Sequence, residues 1–150
     1  MTNNFTLKLQ IPKTEAQWKV IATGFNDQWN FPNCLGAVDG KHVSIIKPPH
    51  TGSYYYNYKK KLFIVVQMAV VNSNYEFIIA DAGINGRISD GGVLGNTAFG
   101  KALVDKLFQI PQPGTLPKSE KKLLFVFVGD EAFAMANLPR MQCARAIPVT

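Results

Sequence analysis

The sequence predicts one α/β domain built on a mixed β-sheet, in which three antiparallel strands are followed by a crossover helix and a parallel fourth strand. Two apolar runs, at 62–71 and 123–128, have the composition of strands that are buried on both faces. Between them, apolar residues recur at three- and four-residue steps, as an amphipathic helix requires. A chain of 150 residues with 47% hydrophobic residues is also long enough for one domain with a real core.

The first predicted element is a short helix that begins after Thr14. Thr14 has the side chain of an N-cap, and Gln17 stands where a capping box places its partner. One helical face then carries four apolar residues, Trp18, Ile21, Ala22 and Phe25. We expect residues 1–28 to form a helical lead-in and residues 29–150 to form the main domain.

The segment 35–46 (LGAVDGKHVSII) reads as extended chain, because small and β-branched residues dominate it and two prolines follow. Asp39-Gly40 in its middle has two interpretations. The pair is typical of a two-residue hairpin turn. It is equally compatible with a continuous strand in which the polar residue has a functional role.

The remaining elements follow in chain order. The strand 62–71 turns at Asn72-Ser73-Asn74 into a strand at 75–84, which predicts an antiparallel hairpin. A helix is predicted from about Gly91 to Phe108, then a linker-like stretch at 109–122, a strand at 123–128 and a helix at 131–138. Because a helix intervenes, the last strand should run parallel to a neighbour in the same sheet.

Composition restricts the class of protein. Sixteen Lys and Arg against ten Asp and Glu give a net charge of +6, which favours a polyanionic partner. Cys34 and Cys143 lie far apart and belong to no metal-binding cluster, so neither a zinc site nor a disulfide framework is expected. No apolar run reaches the roughly 20 residues of a membrane span, and the first 20 residues contain no secretory signal. We expect a soluble, reduced, intracellular protein.

Two aspartates are the main candidates for chemistry. Asp39 interrupts the first strand and Asp130 ends the last one, so parallel neighbouring strands would bring their carboxylates together. Mg²⁺ prefers carboxylate oxygens, and paired ions stabilise the attacking and leaving oxygens of a phosphoryl displacement. The alternatives are a hairpin-turn role for Asp39 and an N-cap role for Asp130.

Two further acids have weaker patterns. Asp90 precedes the predicted helix at Gly91, so it is either its N-cap or a metal ligand. Asp81, at the end of the third strand, is either a catalytic candidate or a turn residue.

A basic and aromatic segment at 53–61 (SYYYNYKKK) resembles a nucleic-acid surface in composition. The alternative is an edge loop whose lysines, Lys59, Lys60 and Lys61, prevent strand pairing between molecules. Lys41 and His42 are candidates for contacting phosphate or orienting Asp39. Arg87 is a candidate for a bidentate contact with a phosphate. Seven aromatic residues are predicted to lie in the core: Trp18, Trp29, Phe31, Phe63, Phe77, Phe125 and Phe127.

A series of motifs in fixed order resembles the Harbinger-type (PIF/Harbinger) DDE transposases over roughly residues 12–140. The first is the segment 29–43 (WNFPNCLGAVDGKHV) around Asp39. The others are Gly52-Ser53, Tyr56-Asn57-Tyr58-Lys59-Lys60, Asp81-Ala82-Gly83, Gly86-Arg87, Ser89-Asp90-Gly91-Gly92 and Val128-Gly129-Asp130-Glu131-Ala132-Phe133.

The resemblance implies a ribonuclease-H-like fold, DNA as substrate, and Mg²⁺ or Mn²⁺ as cofactor. By motif, Asp39 matches the first acid of the family and Asp130 the second, while Asp90 matches a further characteristic position. The resemblance also implies a nuclear protein that works with a separate DNA-binding partner protein.

The sequence departs from the family pattern at the third acid, a glutamate on a helix beyond the second aspartate. Glu131 is the only acid after Asp130, and as its neighbour on a helix it would point about 100° away. We therefore expect a C-terminally truncated core with weak or no cleavage. The alternative is a non-enzymatic, domesticated fragment that binds DNA or protein.

Overall fold

The fold is described for residues 11–85, 94–130 and 141–143 of a computed structural model. Its helices are α1 (Glu15–Trp29) and α2 (Ala98–Val104). Its strands are β1 (Cys34–Ser44), β2 (Tyr56–Asn57), β3 (Leu62–Val71), β4 (Phe77–Asn85), β5 (Gly114–Thr115), β6 (Lys122–Leu123), β7 (Val126–Gly129) and β8 (Met141–Cys143). The helix predicted at 131–138 lies outside the described residues.

The main sheet is mixed, as predicted. Its strands lie in the order β2-β3-β1-β7-β8, and β4 pairs with β3. The β3 strand is antiparallel to β1, β2 and β4, whereas β7 is parallel to β1 and β8 is parallel to β7. Three long antiparallel strands and a parallel fourth one therefore form an α/β domain, in agreement with the prediction.

The β1 strand runs without interruption through Asp39 and Gly40. It pairs with β3 at eight consecutive positions, from Ala37 opposite Val71 to Ser44 opposite Ile64. The hairpin-turn interpretation of Asp39-Gly40 is therefore wrong. The β3 strand spans the predicted residues, and its turn into β4 is closed by a hydrogen bond from the Asn72 amide to the Glu76 carbonyl at 3.0 Å.

The predicted strand 123–128 is divided in two. Its first part belongs to β6, which pairs with β5 in a separate two-stranded sheet, and only the second part becomes β7. Leu123 and Leu124 are each 50% exposed, so this half of the apolar run is not buried. The Asn33 side-chain amide donates to the carbonyls of Gly114 (3.2 Å) and Leu123 (3.1 Å), which ties the β5–β6 hairpin to the start of β1.

The α1 helix begins as predicted, because the Thr14 side chain accepts a hydrogen bond from the Gln17 amide. It continues to Trp29, where Asn30 adopts a left-handed conformation with φ 51°. None of the helices in the described part of the chain is long and apolar enough to span a membrane.

The α2 helix ends earlier than the predicted Phe108. Lys106 adopts a left-handed conformation with φ 55°, and its amide donates to the Leu103 carbonyl. The Leu107 amide donates to the Ala102 carbonyl at 2.9 Å. These two bonds are those of a Schellman motif, which satisfies the last carbonyls and stops the helix.

Both helices pack on one face of the main sheet through Phe127. Its ring meets the rings of Trp18 and Phe99 edge to face, with centroids 5.7 Å and 5.1 Å apart. Of the aromatic residues predicted to lie in the core, Trp18, Phe125 and Phe127 are buried and Phe63 is half-buried. The prediction is wrong for Trp29, Phe31 and Phe77, which are exposed.

The two ends of the sheet carry different connections. The loop 45–61 leaves β1 at the carboxyl end of that strand. The turn at 72–76 and the β5–β6 hairpin lie at its amino end, where the Trp29 indole donates to the Ser73 carbonyl at 3.1 Å. We call these the carboxyl end and the amino end of the sheet.

Candidate active site

The strand register aligns Asp39 with Asp130. Ala37 of β1 is paired with Val128 of β7, and each aspartate lies two residues farther along its strand direction. Side chains two residues apart on a strand share a face, and neighbouring strands lie about 4.8 Å apart. Asp130 directly follows the last residue of β7, so the register continued by two residues would place the two aspartates next to each other on one face of the sheet.

Both aspartates are accessible from solvent. Each is exposed, and one Asp39 carboxylate oxygen accepts a hydrogen bond from the Gly40 amide at 2.8 Å. A hydrated cation can therefore reach the pair without any rearrangement of the core.

The face that carries Asp39 is the one opposite α1 and α2. Val38 and Phe127, which alternate with Asp39 and Asp130, are buried beneath the helices. On the aspartate side, Gln67 of β3 is exposed and pairs with Lys41 of β1. The prediction that β3 is buried on both faces is therefore wrong for this position, and the single polar residue in its apolar run was the available signal.

Lys41 and His42, both predicted to act beside Asp39, lie on different faces of β1. Lys41 is exposed and shares the face of Asp39, two residues away. His42 pairs with Val66, which is buried on the helix side of the sheet. The register thus brings Lys41, but not His42, to the carboxylate pair.

Asp81 is not part of this group. It lies within β4 and pairs with Met68, which is fully buried on the helix side of the sheet. Its carboxylate accepts a hydrogen bond from the Ala98 amide at 2.9 Å. It is therefore neither a neighbour of Asp39 nor a turn residue, but an acceptor at the start of α2.

Among the described residues, the candidate metal ligands are the carboxylates of Asp39 and Asp130. Within 11–85, 94–130 and 141–143, no group of three His, Cys, Asp or Glu side chains could hold a metal ion. Asp39 and Asp130 supply hard oxygen donors, the type that Mg²⁺ and Mn²⁺ take. Asp90, Arg87 and Glu131, which the sequence also singled out, lie outside the described residues.

The three adjacent lysines occupy a tight turn at the carboxyl end of the sheet. Asn57 pairs with Leu62, so four residues connect β2 to β3. The Lys60 amide donates to the Asn57 side chain at 2.9 Å, and Lys61 has a left-handed φ of 54°. Lys59, Lys60 and Lys61 are all exposed. Because β2 is only two residues long and at the sheet edge, their position is also compatible with protection of that edge.

Comparison with known protein families identifies the family of this chain. A family model described as "DDE superfamily endonuclease" matches residues 38–146, a range that includes both Asp39 and Asp130. Comparisons with curated proteins and with solved structures give no significant match.

Proposed function

Because the chain belongs to the DDE superfamily endonucleases, which are transposase-derived nucleases, we propose that it forms a ribonuclease-H-like core of the Harbinger type. Its substrate in this proposal is a DNA phosphodiester bond, and its cofactor is Mg²⁺ or Mn²⁺. A nuclear location and a separate DNA-binding partner protein complete the proposal, since both accompany the Harbinger-type resemblance.

One observation supports the catalytic part of the proposal: Ala37 of β1 pairs with Val128 of β7, and the same register continued by two residues would bring the exposed Asp39 beside the exposed Asp130. Asp39 and Asp130 would hold the divalent ion between them. A bound divalent cation supplies Lewis-acid stabilisation of the phosphoryl oxygens and lowers the pKa of bound water. The β1 strand would keep the Asp39 carboxylate oriented before the metal arrives, and the end of β7 would anchor Asp130, so that less ordering entropy is lost on binding.

Other residues would position the DNA. Lys41 lies on the face of Asp39, where its ammonium group would contact a phosphate next to the scissile bond. Lys59, Lys60 and Lys61 would contact the backbone farther along. Within the segment 86–93, Arg87 is a proposed phosphate contact and Asp90 a proposed further metal ligand.

Charge distribution supports a nucleic-acid ligand. Between Asp39 and Glu76 the sequence contains no acid, but it contains five lysines: Lys41, Lys47, Lys59, Lys60 and Lys61. All five are exposed, and the last four lie in the loop 45–61 at the carboxyl end of the sheet. A cluster of positive charge with no acid in the same segment attracts the phosphate backbone and releases its counterions.

Nicking of supercoiled plasmid tests the catalytic proposal. The wild-type chain is incubated with Mn²⁺, with Mg²⁺ or with EDTA, beside Asp39→Asn, Asp130→Asn and the control Asp81→Asn. We expect slow nicking that requires metal and falls about 100-fold or more in the first two variants, while the control keeps the wild-type rate. Wild-type nicking by Asp39→Asn, or nicking that persists in EDTA, would contradict the proposal.

A DNA-binding role without cleavage is the second candidate. It is favoured by the exposed lysines Lys41, Lys47, Lys59, Lys60 and Lys61, because phosphate contacts by ammonium groups need no metal ion. In that case the wild-type chain binds DNA but does not nick it with either metal, and Asp39→Asn binds DNA as the wild type does.

A further inference from the structure

Two tyrosines in the loop 45–61 are exposed to solvent. Tyr54 is 54% exposed and Tyr58 is 65% exposed, whereas their neighbours Tyr55 and Tyr56 are half-buried. Tyr54 meets Tyr55 at 87° with centroids 4.8 Å apart, and Tyr58 meets Tyr56 at 85° and 5.1 Å. In each pair the half-buried ring contacts the exposed ring at nearly a right angle. Part of the exposed ring remains accessible to a ligand.

The loop that presents these rings is fixed by its own hydrogen bonds. The Tyr54 amide donates to the Thr51 carbonyl at 2.9 Å, and the Ile64 amide of β3 donates to the Tyr55 carbonyl at 2.8 Å. The Tyr56 ring also contacts the half-buried Phe63, at 5.2 Å between centroids. The surface is therefore preorganised, and a planar ligand that stacks on it orders little additional chain.

The same loop carries four lysines. Lys47 places its ammonium group 5.8 Å from the centroid of Phe63, and Lys59, Lys60 and Lys61 follow Tyr58 directly. Proteins bind single-stranded nucleic acid by combining aromatic side chains, on which the bases stack, with positively charged side chains that contact the phosphate backbone. Bases inside a duplex stack on one another and offer no face to a side chain, so this combination selects unpaired bases.

We propose that Tyr54 and Tyr58 stack on unpaired bases of the DNA, so that the bound substrate is strand-separated on one side of the cleavage site. This inference rests on the proposed function in taking DNA as the ligand. Ser44, the last residue of β1, lies five positions after Asp39, about 17 Å along the strand at 3.3 Å per residue. Because Tyr54 and Tyr58 lie in the loop that follows, the unpaired stretch lies toward the carboxyl end of the sheet from the two aspartates.

Binding is measured by fluorescence anisotropy in EDTA, so cleavage and metal affinity do not enter the result. The probes are a 20-nucleotide thymidine oligonucleotide, an abasic oligonucleotide of equal length and a 20-base-pair duplex. The wild-type chain should bind the thymidine oligonucleotide about 100-fold more tightly than the abasic one, about tenfold for each ring, a comparison that needs no variant.

The double variant Tyr54→Leu/Tyr58→Leu should lose about 100-fold in affinity for the thymidine oligonucleotide, about tenfold for each ring. Its affinity for the abasic oligonucleotide and its salt dependence should be unchanged, because no charge is altered. Tyr54→Phe/Tyr58→Phe, which keeps both aromatic faces, should bind as the wild type does. The matched control is Tyr75→Leu, since Tyr75 is 71% exposed but lies at the amino end of the sheet.

Equal wild-type affinity for the thymidine and abasic oligonucleotides would overturn the inference. So would a Tyr54→Leu/Tyr58→Leu variant that weakens all three probes alike. Neither result would change the plasmid-nicking outcome, which tests the catalytic proposal separately.

Discussion

The Asp81 carboxylate accepts a hydrogen bond from the Ala98 amide at 2.9 Å and so joins β4 to the first residue of α2. The Thr97 hydroxyl accepts a second bond in the same turn, from the Gly100 amide at 2.8 Å. Asp81 and Asp39 lie on opposite faces of the sheet, since Asp81 pairs with Met68 and Asp39 pairs with Ala69. The register therefore gives Asp81 a structural role at the start of α2 and places Asp39 on the face of the sheet opposite the helices.

Replacing Asp81 with Ala should lower the free energy of unfolding by about 1 kcal/mol, because one amide at the start of α2 loses its acceptor. Divalent-metal affinity should not change. Urea unfolding gives the first quantity and calorimetric titration with Mn²⁺ gives the second. Loss of Mn²⁺ binding in this variant would show that Asp81, and not only Asp39 and Asp130, supplies metal ligands.

Gly36 lies where β1 packs between β3 and β7, and a side chain has no room there. A Cβ atom would lie 2.6 Å from a methyl group of Val70 and 3.3 Å from the Phe127 ring. We expect Gly36→Ala to lower the free energy of unfolding by about 1–3 kcal/mol through overpacking. Gly95→Ala is the matched control, since nothing lies within 4 Å of its Cβ position. Equal stability of the two variants would contradict the packing described for β1.

Cys34 should make stability depend on pH in the alkaline range. Burial raises the pKa of its thiol from 9.0 to about 11, while a backbone hydrogen bond at Gly36 partly opposes the shift. The thiol is neutral in both states below pH 9, but between pH 9 and 11 it ionises in the unfolded chain first. The free energy of unfolding therefore falls across that window. Cys34→Ala should show a smaller fall, measured by urea unfolding at pH 8, 9, 10 and 11; identical slopes would refute the assignment.

The turn that contains the three adjacent lysines should contribute to DNA affinity through phosphate contacts. Replacing Lys59, Lys60 and Lys61 with Gln should reduce the slope of log affinity against log salt concentration by about 2–3 for duplex DNA, because each lost phosphate contact removes about 0.9. The charge-matched control replaces three exposed lysines at the amino end of the sheet, Lys118, Lys121 and Lys122. A control with the same loss of slope would place the DNA elsewhere.

Much of the strand arrangement could be predicted from the sequence. The β3 strand was predicted at its observed bounds, because an apolar run followed by Asn-Ser-Asn specifies both a strand and its turn. The parallel placement of β7 beside β1 followed from the intervening helix. Continuity of β1 through Asp39-Gly40 was not predictable, since only its pairing with β3 excludes a turn.

Elements that depend on tertiary contacts were harder to predict. The end of α2 was missed because its left-handed residue is Lys106, and lysine is not the glycine that usually signals a Schellman motif. Trp29 was assigned to the core, but it lies 52% exposed over the 72–76 turn, with its ring 5.8 Å from that of Tyr75. Hydrophobicity alone does not distinguish such a surface contact from burial.

The pairing of the two acids depends on a register that the sequence does not reveal. Between β1 and β7, Cys34 pairs with Val126 and Gly36 pairs with Phe127, so Leu35 is an extra residue in β1. Without that irregularity the register would slip by one position, and Asp39 would face the opposite side from Asp130. The sequence could suggest the two acids, whereas their common face required the structure.

The central claim is that Asp39 and Asp130 bind one divalent ion on the face of the sheet opposite α1 and α2. Paramagnetic broadening by Mn²⁺ in amide NMR spectra tests it most directly, with Lys118 of the β5–β6 hairpin, at the amino end of the sheet, as the internal control. At substoichiometric Mn²⁺ the signals of Asp39 and Asp130 should broaden together and most strongly, while Lys118 stays sharp, and Asp39→Asn should weaken the broadening at Asp130. Unbroadened aspartate signals at millimolar Mn²⁺, or broadening of Asp130 that is unaffected by Asp39→Asn, would contradict a shared metal site.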